Sequence, residues 1–134
     1  MRRDLDFLNE LSRRVIAACI EVHKELGPGL LESAYEVCLA RELSLAGIPF
    51  RRQVSVPVTY KGEFMEAGYR IDLLVDECLI VELKAAKSPP GILRAQLLTY
   101  LKLMNLPLGH GVSFGNVRLI DGVTRVVNGI PELI

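Results

Sequence analysis

Between Asp6 and Leu26 the apolar residues Leu8, Leu11, Val15, Cys19, Val22 and Leu26 recur in steps of three and four, which gathers them into one stripe of an α-helix. Arg13, Arg14, Glu21, Lys24 and Glu25 take the other side. Gly27-Pro28-Gly29 stops this helix, because a residue that tolerates left-handed backbone is followed by one that cannot continue the ladder. A second helix is expected from about Leu30 to Ala46, closed by Gly47 with Pro49 just beyond.

The period then changes to two. Val54, Val56, Val58 and Tyr60 alternate with Gln53, Ser55, Pro57 and Thr59, a half-buried strand in which Pro57 marks an edge or a bulge. Lys61-Gly62 makes a tight turn, and Phe64 to Val75 and Leu79 to Lys84 supply two more strands separated by Asp76-Glu77. Strands joined by turns this short pair as antiparallel neighbours. Ser88-Pro89-Pro90 opens a third helix with Ser88 as its cap. That helix carries Ile92, Leu93, Leu97, Tyr100, Leu101 and Met104 and ends near Asn105-Leu106-Pro107. Two last strands follow, Gly111 to Phe114 and Val117 to Val127, the second folded into a hairpin at Asp121-Gly122. Helix, helix, three strands, helix and two or three strands, without internal repeats, predict a mixed α/β chain. Its 134 residues suit one domain, 1–134, with a real core.

Composition narrows the function classes. Half the residues are hydrophobic and 24% charged, which fits a globular rather than a disordered chain. Sixteen basic residues balance 16 acidic ones, so no global field draws in a polyanion. Arg51, Arg52, Lys61, Lys84, Lys87, Arg94 and Lys102 form either a local basic patch or ordinary solvated charges. Cys19, Cys38 and Cys78 are odd in number and sit inside apolar segments, as reduced core residues do. Nothing in their spacing, or in that of His23 on a helix surface and His110 on a strand or loop, suggests zinc. No apolar run is long enough for a membrane span and Met1-Arg2-Arg3-Asp4 leads into no signal-peptide block, so a cytoplasmic protein is expected.

The chemistry concentrates in Tyr69 to Lys84. Glu82 and Lys84 project to the same side of a buried-looking strand, and Asp72 lies in the apolar run before it. Burying an unpaired ion is expensive, so these groups need partners. Two explanations stand side by side: a structural ion pair at a strand end, or Asp72 and Glu82 as hard oxygen ligands for Mg2+ or Mn2+ with Lys84 beside the attacking water. At the start of the second helix, Glu32, Tyr35 and Glu36 are three and four apart and are expected to share a face. Gln96 and Tyr100 do the same on the third.

Taken in order, an acid in a helix, Asp72, Glu82-x-Lys84 and Gln96-x-x-x-Tyr100 resemble the PD-(D/E)XK nuclease superfamily. The likeness is closest to its small GxxExxY family, whose motif is present as Gly29, Glu32 and Tyr35. Ile71 stands where the first motif has proline. The resemblance implies a restriction-endonuclease-like core, a central mixed β-sheet flanked by α-helices, with Glu32, Asp72, Glu82 and Lys84 converging at one sheet edge. It further implies that Asp72, Glu82 and the Leu83 carbonyl hold Mg2+ or Mn2+, that Glu32 completes the set, and that Lys84 orients or activates water. Tyr35, Gln96 and Tyr100 would contact nucleic acid or support the ligands from outside. The implied activity is a metal-dependent nuclease acting on DNA in preference to RNA, without a membrane. An inactive nucleic-acid or protein binding module on the same scaffold is the alternative. The first helix, or the last strands ending in Ile130-Pro131-Glu132-Leu133-Ile134, would supply a homodimer face.

Overall fold

The computed structural model describes residues 4–66 and 68–129. Helix α1 spans Leu5–Leu26, its first turn capped by the Asp4 carboxylate accepting the Phe7 N–H at 2.8 Å. Helix α2 spans Glu32–Leu45. It ends in a Schellman arrangement: Gly47, at φ +71°, donates its N–H to Ser44, and the Ile48 N–H reaches the Leu43 carbonyl at 2.9 Å. The strands are β1 Phe50–Ser55, β2 Val58–Tyr60, β3 Glu63–Met65, β4 Arg70–Val75, β5 Leu79–Lys84, β6 Leu108–Ser113 and β7 Val123–Val127. Helix α3, Pro90–Met104, lies between β5 and β6.

Three local expectations need correction. The strand expected across residues 53–60 breaks at Val56-Pro57, since proline offers no N–H to the ladder, and 64–75 breaks as well. Its outer pieces, β2 and β3, form a separate two-stranded hairpin. Pro89 rather than Ser88 occupies the cap position of α3, while the Ser88 hydroxyl donates to the Ala86 carbonyl. Pro90 at the first helical position has no N–H that needs a cap. Asp121-Gly122 closes a 3-10 turn, Leu119–Gly122, and makes no hairpin.

The main sheet has the order β1-β4-β5-β6-β7. Only β5 and β6 run parallel, and α3 is the crossover that a parallel pair requires. Both faces are covered. α1 and α2 pack on Leu73, Val75, Leu79, Val81, Leu83, Leu108 and Val112, whereas α3 packs on Ile71, Leu74, Ile80 and Val126. This double burial explains the unbroken apolar runs of β4 and β5. It also consumes the apolar stripe of α1, since Leu8, Leu11, Val15, Cys19 and Val22 are buried in the chain's own core. The other segment expected to form a dimer face, Ile130 to Ile134, lies outside the described residues.

Cys19 and Cys78 are buried and Cys38 partly so, and burial pushes the Cys19 thiol up to about 12. His110 sits fully buried in β6 with Nε2 2.8 Å from the Ser12 hydroxyl. Among the described residues no helix is long and apolar enough to cross a membrane.

α3 approaches β6 closely because Gly109 and Gly111 carry no side chains. A Cβ on Gly111 would lie 2.4 Å from Leu93 Cδ2 and 2.7 Å from its Cγ, inside a packed layer. Gly111→Ala is expected to destabilise by about 1–3 kcal/mol, the usual cost of overpacking. Gly109→Ala, whose Cβ meets Leu97 and Leu101 at an ordinary 3.6 Å, is the tolerated control. Thermal melts of both variants check this; equal melting temperatures would show that α3 has room to move.

Candidate functional site

The central strands part at Asp72. The β4–β5 ladder runs Val75↔Leu79, Leu74↔Ile80, Leu73↔Val81 and goes no further, and the β1–β4 ladder skips the level of Gln53 and Asp72. Side chains replace the missing backbone pairs. The Asp72 N–H donates to Glu82 Oε1 at 2.8 Å, and the Leu83 N–H donates to Asp72 Oδ2 at 2.8 Å. β4 is twisted here as well, because Ile71 and Leu74, three apart, pack in the same layer against α3. Each acid is thus fixed by the other strand's backbone.

Among the described residues neither acid of this pair makes an ion pair within 4.0 Å. Glu82 is only 6% exposed and Asp72 is half-buried. Burial, and then the Asp72 charge, push the Glu82 carboxyl up to about 7, against the opposing pull of the Asp72 N–H and Lys84. Burial also raises Asp72, with Glu36 and Glu32 adding to the effect while Leu83 and Gln53 oppose it. Lys84 is partly exposed and makes no ion pair within 4.0 Å, so no closed Lys84–carboxylate pair forms among the described residues.

The three α2 residues expected on one face separate into different tasks. Glu32 begins the helix, is exposed, and its Oε2 accepts the Ala85 N–H at the end of β5 at 3.4 Å. Tyr35 instead turns inward and is fully buried, stacked on Phe114 with centroids 4.1 Å apart. Its hydroxyl donates to the Gly27 carbonyl at 2.6 Å and accepts the Leu30 N–H at 3.2 Å. It thereby clamps the loop in which Gly29 takes φ +98°, a backbone that side-chain-bearing residues rarely adopt. Gly29 and Tyr35 together set where α2 starts, and so where Glu32 stands.

On α3, the Gln96 amide donates to the Tyr100 hydroxyl at 3.1 Å, and the Tyr100 ring lies 6.2 Å from that of Tyr69. Burial raises the Tyr100 phenol and the charges of Glu82 and Asp72 raise it further, which puts this pair within electrostatic reach of the acids. The Leu83 side chain is buried, and its N–H serves Asp72. Three residues named in the sequence were given no part at the acids. Glu36, 6% exposed, accepts from Arg52 Nε at 2.9 Å and from Gln53 Nε2 at 2.7 Å, and the same Gln53 nitrogen lies 3.3 Å from Asp72 Oδ1. The only trace of this link in the sequence is that Gln53 is a polar member of an alternating strand.

Among the described residues no group of three or more His, Cys, Asp or Glu side chains is placed to hold a metal. Asp72 and Glu82 come together, whereas Glu32 stays on the Ala85 N–H. Two carboxylates still suit Mg2+, which commonly takes one or two and completes its octahedron with waters and phosphate oxygens. The mutual repulsion of these acids fits a cation too.

A mixed sheet between helical layers, its two acids gathered where the middle strands part, makes this a restriction-endonuclease-like α/β protein. A family model describing the PD-(D/E)XK nuclease superfamily matches residues 9–126, and the chain belongs to that superfamily. No curated protein and no solved structure matches it.

Proposed function

We propose that this chain is a Mg2+- or Mn2+-dependent nuclease of the GxxExxY family, working as one domain and cleaving phosphodiester bonds of DNA in preference to RNA. The observation that carries the reading is the reciprocal lock between half-buried Asp72 and buried Glu82, which make no ion pair among the described residues. Asp72, Glu82 and the Leu83 carbonyl would hold the cation, with Glu32 joining from the start of α2. When bound, the cation supplies charge neutralisation on the phosphoryl and leaving oxygens. Lys84 shares the face of Glu82 and has its ammonium free to hold the attacking water in line. Gln96 and Tyr100 border the acids on the α3 side, where a nucleic-acid strand would pass. Tyr35 contributes by holding the 27–30 loop.

The purified chain is expected to degrade DNA in Mg2+ or Mn2+ and to stop in EDTA. Lys84→Met should slow the reaction about 100-fold, the scale of one proton-handling side chain, while Mn2+ still binds. Cleavage at the parental rate by this variant would point to another site or a contaminant. Absence of both cleavage and Mn2+ binding would favour the inactive binding module.

A further inference from the structure

Gln53 is at φ +52°, in the left-handed region, inside a β-strand. A residue with a side chain is strained there, and such strain persists where the surroundings hold it in place. Glycine would take this backbone freely. The side chain therefore needs a use, and its contacts supply one. Its amide nitrogen lies between two carboxylates, 2.7 Å from Glu36 Oε1 and 3.3 Å from Asp72 Oδ1. Glu36 is itself anchored, since it is buried and its other oxygen accepts from Arg52 Nε. Without Gln53, Asp72 would keep only the Leu83 N–H, on Oδ2, and Oδ1 would be free to rotate.

We propose that Gln53, held by Glu36 and Arg52, is a positioning residue that fixes the rotation of the Asp72 carboxylate toward the cation. The inference rests on the metal-dependent reading above and adds a device to it. Arg52 and Glu36 form a fixed post, Gln53 is the arm, and Asp72 is what the arm holds. The distorted backbone at Gln53 carries the arm to that place and also breaks the β1–β4 ladder at the level of Asp72. Partners that orient metal ligands typically change affinity by about 10- to 100-fold when removed.

The test compares Gln53→Gly, Gln53→Met and Asp72→Asn in the full chain. Mn2+ affinity is read by electron paramagnetic resonance and stability by thermal melts. Gln53→Gly is expected to melt at or above the parental temperature because the strain is released, yet to bind Mn2+ about tenfold or more weakly. Gln53→Met, which keeps the bulk and loses the amide, should show the same loss of affinity and guards against a glycine variant that fails to fold. Parental Mn2+ affinity in the folded Gln53 variants, with affinity lost in Asp72→Asn, would overturn the positioning role and leave the metal site standing. Parental affinity in Asp72→Asn would overturn both.

Discussion

Glu82→Gln is expected to lose nuclease activity by about a thousandfold or more, and at about pH 8 to melt at a higher temperature than the parent chain. The first effect follows from the proposed role of Glu82 as a charged ligand, because a bound cation would supply several kcal/mol of transition-state stabilisation, each ~1.4 kcal/mol being a factor of ten. The second follows from the acid pair itself. Glutamine keeps an oxygen for the Asp72 N–H that Glu82 Oε1 now accepts, but carries no charge to be buried beside Asp72. The folded protein holds the Glu82 proton up to about 7, against an ordinary value of 4.5. Below 4.5 both folded and unfolded chains are protonated and there is no penalty. Between those two values only the unfolded chain ionises readily, so stability falls as pH rises. Above about 7 the full cost, on the order of 3 kcal/mol, is present. The stabilisation by Glu82→Gln should therefore be seen at about pH 8 and vanish near pH 4. A variant less stable than the parent at high pH, with native spectra otherwise, would mean that the acids are not in conflict.

Metal affinity should follow the same proton. Because Glu82 is held up by burial and by Asp72, a cation binding the pair must displace a proton at acidic pH and none at alkaline pH. The apparent Mn2+ dissociation constant is expected to rise by up to about tenfold for each pH unit below about 7, and to level off above it. Mn2+ should then raise the melting temperature more at about pH 8 than at about pH 5.5, since a ligand that binds only the folded state stabilises in proportion to the logarithm of its occupancy. Titration calorimetry in buffers of different ionisation enthalpy reads the released proton directly. Affinity constant across this range would place the cation on other groups. On the proposed metal-dependent reading, the cost described for Glu82 would be present only in the cation-free protein, which would tie the stability of the site to its occupancy.

Much of this was legible from residue order because the signals were local. The three- and four-residue spacing of α1, the Gly47 stop and the alternation around Glu82 depend on neighbours along the chain. A sheet flanked by helices was implied by the resemblance of the motifs, and the apolar runs of β4 and β5 fit it. Signals that depend on what lies across the fold misled. Glu32, Tyr35 and Glu36 have one helical spacing but three fates, because Phe114 draws Tyr35 inward and Arg52 and Gln53 claim Glu36. Asp121-Gly122 reads as a hairpin, yet a Cβ on Gly122 would lie 2.3 Å from the Ser113 carbonyl oxygen, so that glycine serves a close approach to β6.

By itself the sequence determined the helices and most of the strands, since periodicity and residue type act over a few neighbouring positions. Only the tertiary structure decided that β4 and β5 part at Asp72, that Lys84 makes no ion pair among the described residues, and that Gln53 reaches from a distorted backbone to the Asp72 carboxylate. Those facts concern how strands distant in sequence exchange hydrogen bonds. That exchange is fixed by register and twist, which no single segment encodes.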